Sequence, residues 1–445
     1  MDELLNKWLT DWGIVGMGIR PADAQMAKTL KEQDYLYTLM VKYPDGTMQP
    51  RVIGSIMDYV FVPDNQAAAI DRLANLSTRI VSLTITEGGY NFDQNGDFIA
   101  DNPDVQWDIQ HPNQPKTVFG LLTSALRIRR ERDIPPFTIL SCDNIQHNGD
   151  ITRKMLLSFT RLTDAGLSSW IAEKVCFPNC MVDRITPVTT SEDIALLRRA
   201  TDIEDAWPVT CEPFIQWVLE DRFSAGRPAW ERVGVQFVSN ITPFEKMKIC
   251  LLNAGHSFLG FAGSLCGYQT VDEAVGDPLL CRSLRAFMDE EATPILDAVE
   301  GIDLSEYKDS LLRRFANPCI RDQLTRICSD SSAKLPKFLL PTIREQLAQG
   351  RTIRYGAFMV AAWCRTLELY AKGRYDYPIQ DALLDELTQT AVRSVTDDAL
   401  AFIGLESVFD DLSNSVHFVQ TYASILNNIR TFGIKYTLNQ LIENS

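Results

Sequence analysis

The first half of this chain alternates short apolar runs, rich in β-branched residues, with amphipathic helical segments, and the alternation stops near residue 238. This pattern favours a parallel sheet covered by helices, because parallel strands are joined by crossover helices. We predict buried strands at 13–19, 79–86, 137–142 and 232–238. Helices are predicted at 64–75, 117–132 and 152–165. The turn residues Pro44, Asp45 and Gly46 predict an antiparallel hairpin beside that sheet.

From residue 239 onward the apolar periodicity is almost wholly helical. Its clearest helical segments are 279–288, 335–347, 357–371 and 409–430, punctuated by Pro294, Pro318, Pro341 and Gly373. The sequence therefore predicts two domains, an α/β domain at 1–238 and a mostly α-helical domain at 239–445.

Composition excludes several classes of function. The formal net charge is -15 and the isoelectric point is near 4.8, which argues against a nucleic-acid partner. No stretch approaches the ~18 apolar residues of a membrane span. The ten cysteines and four histidines are scattered without metal-ligand spacing, so no metal and reduced thiols are expected. We expect a cytoplasmic protein.

A polar stripe on one predicted helix carries the strongest chemical signal. At about 100° per residue, Glu245, His256 and Asn253 lie about 60°, 80° and 140° from Lys248. Burial in a cleft would favour the neutral amine of Lys248, which could then accept a proton, with the amide and imidazole as hydrogen-bond donors to an oxygen. The alternative is an ordinary solvated helix face.

Several stretches of the chain resemble the polyol-specific long-chain dehydrogenase/reductases. They lie in order along nearly the whole sequence, at 11–18, 82–90, 141–149, 177–187, 205–209, 217–221, 245–256 and 334–338. The resemblance implies a Rossmann-like NAD-binding domain at 1–238 and a substrate and catalytic domain at 239–445. It also implies a monomeric, metal-independent enzyme that uses NAD to interconvert a polyol such as D-mannitol and a ketose such as D-fructose.

Two alternatives stay open at this point. The first is a hexuronate reductase of the same family, whose substrate carboxylate would require a bidentate arginine. The second is a non-catalytic form that acts as a sugar-binding or interaction module.

The resemblance also implies roles for individual residues. Lys248 would be the general acid/base, Asn144 and Asn253 would donate amide hydrogen bonds to the reacting oxygen, and His256 would bind a substrate hydroxyl. Glu245 would relay the proton. Its alternative is a surface salt bridge one helical turn from Lys248.

Three further residues match substrate-binding positions of the family. Asp183 would organise the polyol site, although a carboxylate followed by Arg184 is commonly a local ion pair. Arg326 and Lys334 would contact the polyol, and their alternative is a role as surface charges.

The candidate cofactor residues are Asp23, Thr86 and Glu87. A carboxylate at Asp23 would bind the ribose 2′-hydroxyl and favour NAD over NADP, although the residue could equally cap a helix. Thr86 and Glu87 end a predicted strand at its carboxyl edge, where such sheets bind ligands, or form an ordinary turn. We expect no phosphate loop at 16–18, and none of the usual strand, Gly-rich turn and helix before Gly13, so weak NADH binding or none is expected.

Overall fold

The computed structural model describes residues 1–8, 11–93, 96–375, 377–396 and 398–443. It divides the chain into two compact units. The first contains Met1–Lys42 and Thr47–Thr242, and the second contains Tyr43–Gly46 and Pro243–Ser445.

All the strands among the described residues lie in the first unit. They are β1 Ile14–Gly18, β2 Tyr37–Lys42, β3 Met48–Ile53, β4 Ile56–Phe61, β5 Ile80–Leu83, β6 Thr138–Ser141, β7 Cys180–Asp183, β8 Val209–Cys211, β9 Gln216–Glu220 and β10 Gln236–Val238. The pairs β1–β4 and β5–β6 are parallel, as are β2–β8 and β9–β10, whereas β2–β3 and β7–β9 are antiparallel. The predicted hairpin is confirmed as β2–β3.

Helices alternate with these strands. They are α1 Asp2–Trp8, α2 Ala24–Glu32, α3 Gln66–Ala74, α4 Pro103–Gln110, α5 Val118–Glu131, α6 Asn148–Thr163, α7 Ala165–Lys174 and α8 Ser191–Thr201, with 3-10 turns at Pro21–Asp23, Glu87–Tyr90 and Trp230–Val233. The predicted α/β class is confirmed. The strand predicted at 232–238 is too long, because Gly234 takes a left-handed conformation (φ 89°) that ends the 3-10 turn and leaves a three-residue β10.

Strands β5 and β6 lie at the centre of the main apolar core of the first unit. Ile139 and Leu83 contribute from the strands, and α5 and α6 cover them with buried side chains such as Leu122 and Leu156. Helix α5 begins where the Thr117 hydroxyl accepts the Gly120 N–H at 3.0 Å. This core holds the carboxyl ends of β5 and β6 side by side.

The second unit is helical. Its α-helices are α9 Thr242–Met247, α10 Ala254–Leu265, α11 Val271–Gly276, α12 Pro278–Phe287, α13 Leu304–Phe315, α14 Leu324–Cys328, α15 Ser331–Phe338, α16 Leu340–Ala348, α17 Arg354–Ala371, α18 Leu384–Thr396, α19 Glu406–Phe409, α20 Val416–Phe432 and α21 Ile434–Glu443. Two π-helical segments, Lys248–Asn253 and Met288–Ala292, interrupt this pattern. The helical segment predicted at 335–347 forms two helices, because Pro341 lacks the N–H that would continue α15 and instead lies in the first turn of α16.

Helix α10 lies in the core of the second unit. A side chain at Gly263 would come within 2.7 Å of Ala274 and 2.9 Å of Leu324, so glycine permits the close approach of α11 and α14. Phe258 and Phe261 are buried on the same helix. Because α10 is packed on several sides, the segment that precedes it is held firmly.

Candidate active site

Lys248 begins the π-helical segment Lys248–Asn253, which joins α9 to α10. At its end, the Ala254 N–H donates to the Ile249 carbonyl five residues earlier instead of four. Such single π turns are rare in proteins, and many of those that occur lie at functional sites. The uniform α-helix assumed from the sequence is therefore wrong here, because one inserted residue leaves no signature in apolar periodicity.

The π turn narrows the polar stripe. If it is treated as an α turn with one extra residue, Asn253 moves to about 40° from Lys248 and His256 to about 20° on the other side. Glu245, in the α-helical segment, stays at about 60°. The four polar side chains then span about 80° instead of about 140°.

Two residues of this stripe are buried. Lys248 is 8% exposed and Glu245 is 4% exposed, so the solvated-face alternative is wrong for both, as is the surface salt bridge for Glu245. Asn253 and His256 are half-buried, and the His256 ring lies 4.5 Å from the Phe315 ring, centroid to centroid. Burial disfavours an ammonium relative to a neutral amine. The stripe therefore combines a buried lysine with a buried carboxylate one turn away.

Arg326 and Lys334 lie close together in the second unit. The Lys334 Nζ is 3.5 Å from the Arg326 carbonyl and 3.5 Å from the Ile327 carbonyl, at the end of α14. The Arg326 side chain is 51% exposed and forms a bidentate ion pair with the buried Asp322. This geometry matches the surface-charge alternative for Arg326, since its guanidinium fork already holds a carboxylate.

In the first unit, Asn144 and Thr86 follow neighbouring strands. Asn144 is exposed in the loop after β6, and Thr86 is exposed in the loop after β5. Thr86 has φ 58° and ψ 172°, a conformation that a β-branched residue rarely adopts. Glu87 begins the following 3-10 turn, and its side chain lies outside the described part of the structure.

Asp143, which lies between Cys142 and Asn144, was not among the functional residues predicted from the sequence. Asp143 accepts hydrogen bonds from the backbone N–H groups of Ile85 at 3.1 Å and Thr86 at 2.9 Å. Its carboxylate thus joins the two loops that carry Thr86 and Asn144. The available signal was its position directly after a buried strand, where carboxylates often receive backbone donors.

Asp23 lies in the 3-10 turn after β1. Its carboxylate accepts the Arg20 N–H at 3.0 Å, and its side chain is 19% exposed. It is the N-cap residue of α2, but its side chain accepts no N–H of that helix and instead caps the preceding 3-10 turn through the Arg20 N–H. A partly open carboxylate close to the end of β1 suits a ribose hydroxyl.

The expected strand at 13–19 is present as β1, and Gly16 and Gly18 are strand residues. A side chain at Gly16 would lie 2.4 Å from the Tyr59 ring, and one at Gly18 would lie 2.6 Å from the Tyr59 hydroxyl. These glycines therefore make room for Tyr59 of β4. The prediction that they form no phosphate loop agrees with this packing.

Asp183 ends β7 and is buried, opposite Gln216 of β9. The neighbouring Arg184 donates from Nε to the Glu212 carbonyl at 3.0 Å. The structure therefore places Asp183 inside the first unit, where a carboxylate needs polar partners.

Among the described residues, no group of three or more His, Cys, Asp or Glu side chains could hold a metal ion. None of the ten cysteines, all of which lie in the described part of the chain, forms a disulfide. Within the same described residues, every helix is too short or too polar to cross a bilayer.

An α/β unit followed by a helical unit is the domain arrangement of one class of dehydrogenases, and the family matches assign the chain to that class. The chain belongs to the mannitol dehydrogenase family: residues 2–232 match the mannitol dehydrogenase Rossmann domain, and residues 240–430 match the mannitol dehydrogenase C-terminal domain. The predicted family is confirmed.

Individual relatives cover the chain from end to end. Mannitol 2-dehydrogenase from Aspergillus terreus is 42% identical, over 100% of this chain and 89% of the relative. The solved structure of Pseudomonas fluorescens mannitol 2-dehydrogenase, a ternary complex with NAD and D-mannitol, is 46% identical with a TM-score of 0.90, and the match covers 100% of this chain and 90% of that one. A substrate-free D-sorbitol dehydrogenase is 36% identical with a TM-score of 0.87, over 98% and 90%.

Proposed function

We propose that this protein is an NAD-dependent, metal-independent oxidoreductase that converts D-mannitol, or a related polyol, to D-fructose and catalyses the reverse reduction. The observation that carries the proposal is the buried Lys248 at the start of a π turn, with the buried Glu245 one turn before it. The similarity to mannitol 2-dehydrogenases supports the choice of substrate and cofactor. We also propose a monomer that works in the cytoplasm.

The chemistry follows from the side chains of the stripe. The neutral amine of Lys248 takes the proton from the substrate hydroxyl while the hydrogen on carbon leaves as hydride. Asn253 donates an amide N–H to the oxygen as negative charge develops there. His256 holds a neighbouring hydroxyl, and Glu245 passes the proton from Lys248 to solvent. Reduction of the ketose runs through the same groups in reverse.

NAD, when bound, supplies the hydride acceptor. Asp23 supports NAD over NADP, because its carboxylate suits the ribose 2′-hydroxyl and repels a 2′-phosphate. Thr86 and Glu87 stay proposed cofactor residues. Asn144 stays the second proposed amide donor, and Asp183 and Lys334 stay proposed polyol-binding residues.

The hexuronate alternative lacks a comparable observation. A uronate carboxylate would require a free guanidinium fork, and that of Arg326 is already paired with Asp322. Arg326 therefore offers no open fork for a uronate carboxylate.

Replacement of Lys248 tests the proposal. Lys248→Ala should lower turnover of D-mannitol by about 10²–10⁴-fold, the usual contribution of a general base, with a modest change in KM. The matched control is Lys246→Ala, two residues away, which removes an ion pair with Glu345 (Nζ to Oε2, 2.8 Å) and should leave turnover near normal.

Steady-state rates with D-mannitol and NAD, followed by NADH absorbance, measure both variants. Added small primary amines should partly restore the turnover of Lys248→Ala, because the missing group is a base. Near-normal turnover of Lys248→Ala at neutral pH would contradict the assignment.

A further inference from the structure

The Asp143 carboxylate receives three donors from the chain that follows β5. They are the N–H of Ile85 at 3.1 Å, the N–H of Thr86 at 2.9 Å and the hydroxyl of Tyr90 at 2.7 Å. Asp143 itself follows β6, which pairs with β5 from Ile80–Thr138 to Leu83–Ser141. One side chain therefore joins the carboxyl ends of two parallel strands that are more than 50 residues apart in sequence.

The backbone that Asp143 holds is strained. Thr86 has φ 58° and ψ 172°, a region that non-glycine residues occupy only when their surroundings fix them. Its N–H is held by Asp143, and its carbonyl accepts the Gly89 N–H at 3.1 Å. Strain of this kind is concentrated at active sites and ligand clamps, so the loop at Thr86 is a candidate for such a role.

Tyr90 and Ser141 complete the network. A carboxylate only accepts hydrogen bonds, so the Tyr90 hydroxyl donates to Asp143 and the Ser141 hydroxyl donates to Tyr90 over 2.5 Å. The Asp143 N–H donates back to Ser141 Oγ at 3.3 Å. Tyr90 is fully buried, and burial raises the pKa of its phenol well above the usual value, so it stays a donor.

The main chain of Asp143 is fixed from the other side. The Asn148 amide donates to the Asp143 carbonyl at 3.1 Å and to the Cys180 carbonyl at 2.8 Å, and it accepts the Cys180 N–H at 3.0 Å. Asn148 is buried. Asn144 directly follows a residue whose side chain and carbonyl are both held, and this limits the positions its amide can take.

We propose that Asp143 is a positioning residue that sets the backbone of Thr86 on one strand end and of Asn144 on the next, without itself touching substrate or cofactor. The proposal rests on the proposed function, because Thr86 and Asn144 act there on cofactor and substrate. It adds to that function one carboxylate, that of Asp143, whose charge is required to hold the two loops in position.

Asp143→Asn tests the need for the charge. An asparagine of the same shape presents an NH₂ group to one of the backbone N–H groups that the carboxylate accepts, so at least one hydrogen bond is lost and the backbone at Ile85 and Thr86 is held less firmly. We expect kcat/KM for NAD to fall at least tenfold, with a rise in KM for NAD. Tyr90→Phe removes one donor and keeps both backbone bonds, so its loss should be smaller.

Asp108→Asn is the matched control. The Asp108 carboxylate also accepts two successive backbone N–H groups, from Lys116 at 2.7 Å and Thr117 at 2.9 Å, and a hydroxyl from Thr117 at 2.6 Å. This variant should lose stability as Asp143→Asn does, but its kinetic constants should stay near normal at a temperature well below both melting points. A purely structural role for Asp143 would make the two variants alike in both respects.

Hydrogen exchange provides a readout that does not depend on turnover. Amide hydrogens in peptides that contain Thr86 and Asn144 should exchange faster in Asp143→Asn than in the parent protein. In Asp108→Asn their exchange rates should equal those of the parent. Unchanged exchange at Thr86, or a kcat/KM for NAD of Asp143→Asn within threefold of that of an active parent, would overturn the proposal. If the parent protein oxidises no polyol with NAD while exchange at Thr86 still rises, the proposed function fails and the Asp143 network stands.

Discussion

Replacement of Arg129 should destabilise the first unit more than any exposed arginine of the same helix. The guanidinium is buried on α5 and donates to four main-chain carbonyls, those of Leu73 at 3.1 Å, Pro135 at 2.6 Å, Thr78 at 2.5 Å and Asn75. Several of these acceptors surround the end of α3, whose last carbonyls have no partner within the helix. A cation there also interacts favourably with the helix dipole.

The expected loss of unfolding free energy depends on which of the four carbonyls can be hydrated once the guanidinium is removed. Leu73 is a buried residue, and leaving its carbonyl unpaired costs about 1–3 kcal/mol. Asn75, Thr78 and Pro135 are exposed or half-buried, so their carbonyls can rehydrate at little cost. The Phe137 ring, 4.9 Å from the guanidinium carbon, adds a cation–π contact of about 0.5–2 kcal/mol. We expect Arg129→Met to lower the free energy of unfolding by about 2–4 kcal/mol.

Arg129 stays charged at neutral pH, since burial lowers the pKa of its guanidinium only to about 10. Arg129→Lys keeps the charge but has three donors on one atom instead of a five-donor fork, so it should recover only part of the loss. Arg130→Met is the control: it breaks a solvent-exposed ion pair with Asp164 (3.9 Å) and should cost at most about 1 kcal/mol.

Urea unfolding measures the free energy of unfolding of the whole chain, but a protein of two units need not unfold in one step. Hydrogen exchange of peptides from α3 and α5 therefore reports the local free energy as well. Equal effects of Arg129→Met and Arg130→Met, within about 0.5 kcal/mol, would refute the carbonyl argument.

Two further predictions concern metal and pH. Dialysis against a chelator should leave polyol oxidation unchanged, because the described residues offer no metal-ligand group; a loss that zinc restores would contradict this. Burial raises the pKa of the Glu291 carboxyl to about 8, although the N–H groups of Tyr355 and Gly356 donate hydrogen bonds to it. Between pH 4.5 and 8 the folded protein therefore binds a proton at Glu291 that the unfolded chain has released. Stability should therefore fall as pH rises from 4.5 through 8, and Glu291→Gln should flatten that decline in urea melts; an unchanged slope would contradict it.

Local patterns were sufficient for the fold class. Alternation of apolar runs with helices predicted the α/β unit, and the turn at Pro44, Asp45 and Gly46 predicted the β2–β3 hairpin, because both depend on neighbours in sequence. The stripe from Glu245 to His256 was found the same way. Residue types along one helix are enough to suggest proton chemistry.

Other features depended on contacts that no local window contains. The π turn at Lys248–Asn253 changes the angles within the stripe, yet helical periodicity does not register one inserted residue. Apolar patterning likewise could not show that Glu245 is buried instead of solvated, because burial of a charge depends on what the rest of the unit packs against it.

The sequence by itself determined the fold class and suggested which residues carry the chemistry, since hydrophobic period and residue type are local properties. Only the tertiary structure decided that Asp143 holds Thr86, 57 residues away, and that Arg129 holds carbonyls more than 50 residues away. Those partners are chosen by the packing of β5 against β6 and of α3 against α5. Hydrogen bonds between distant loops form only after that packing has brought their donors and acceptors within reach.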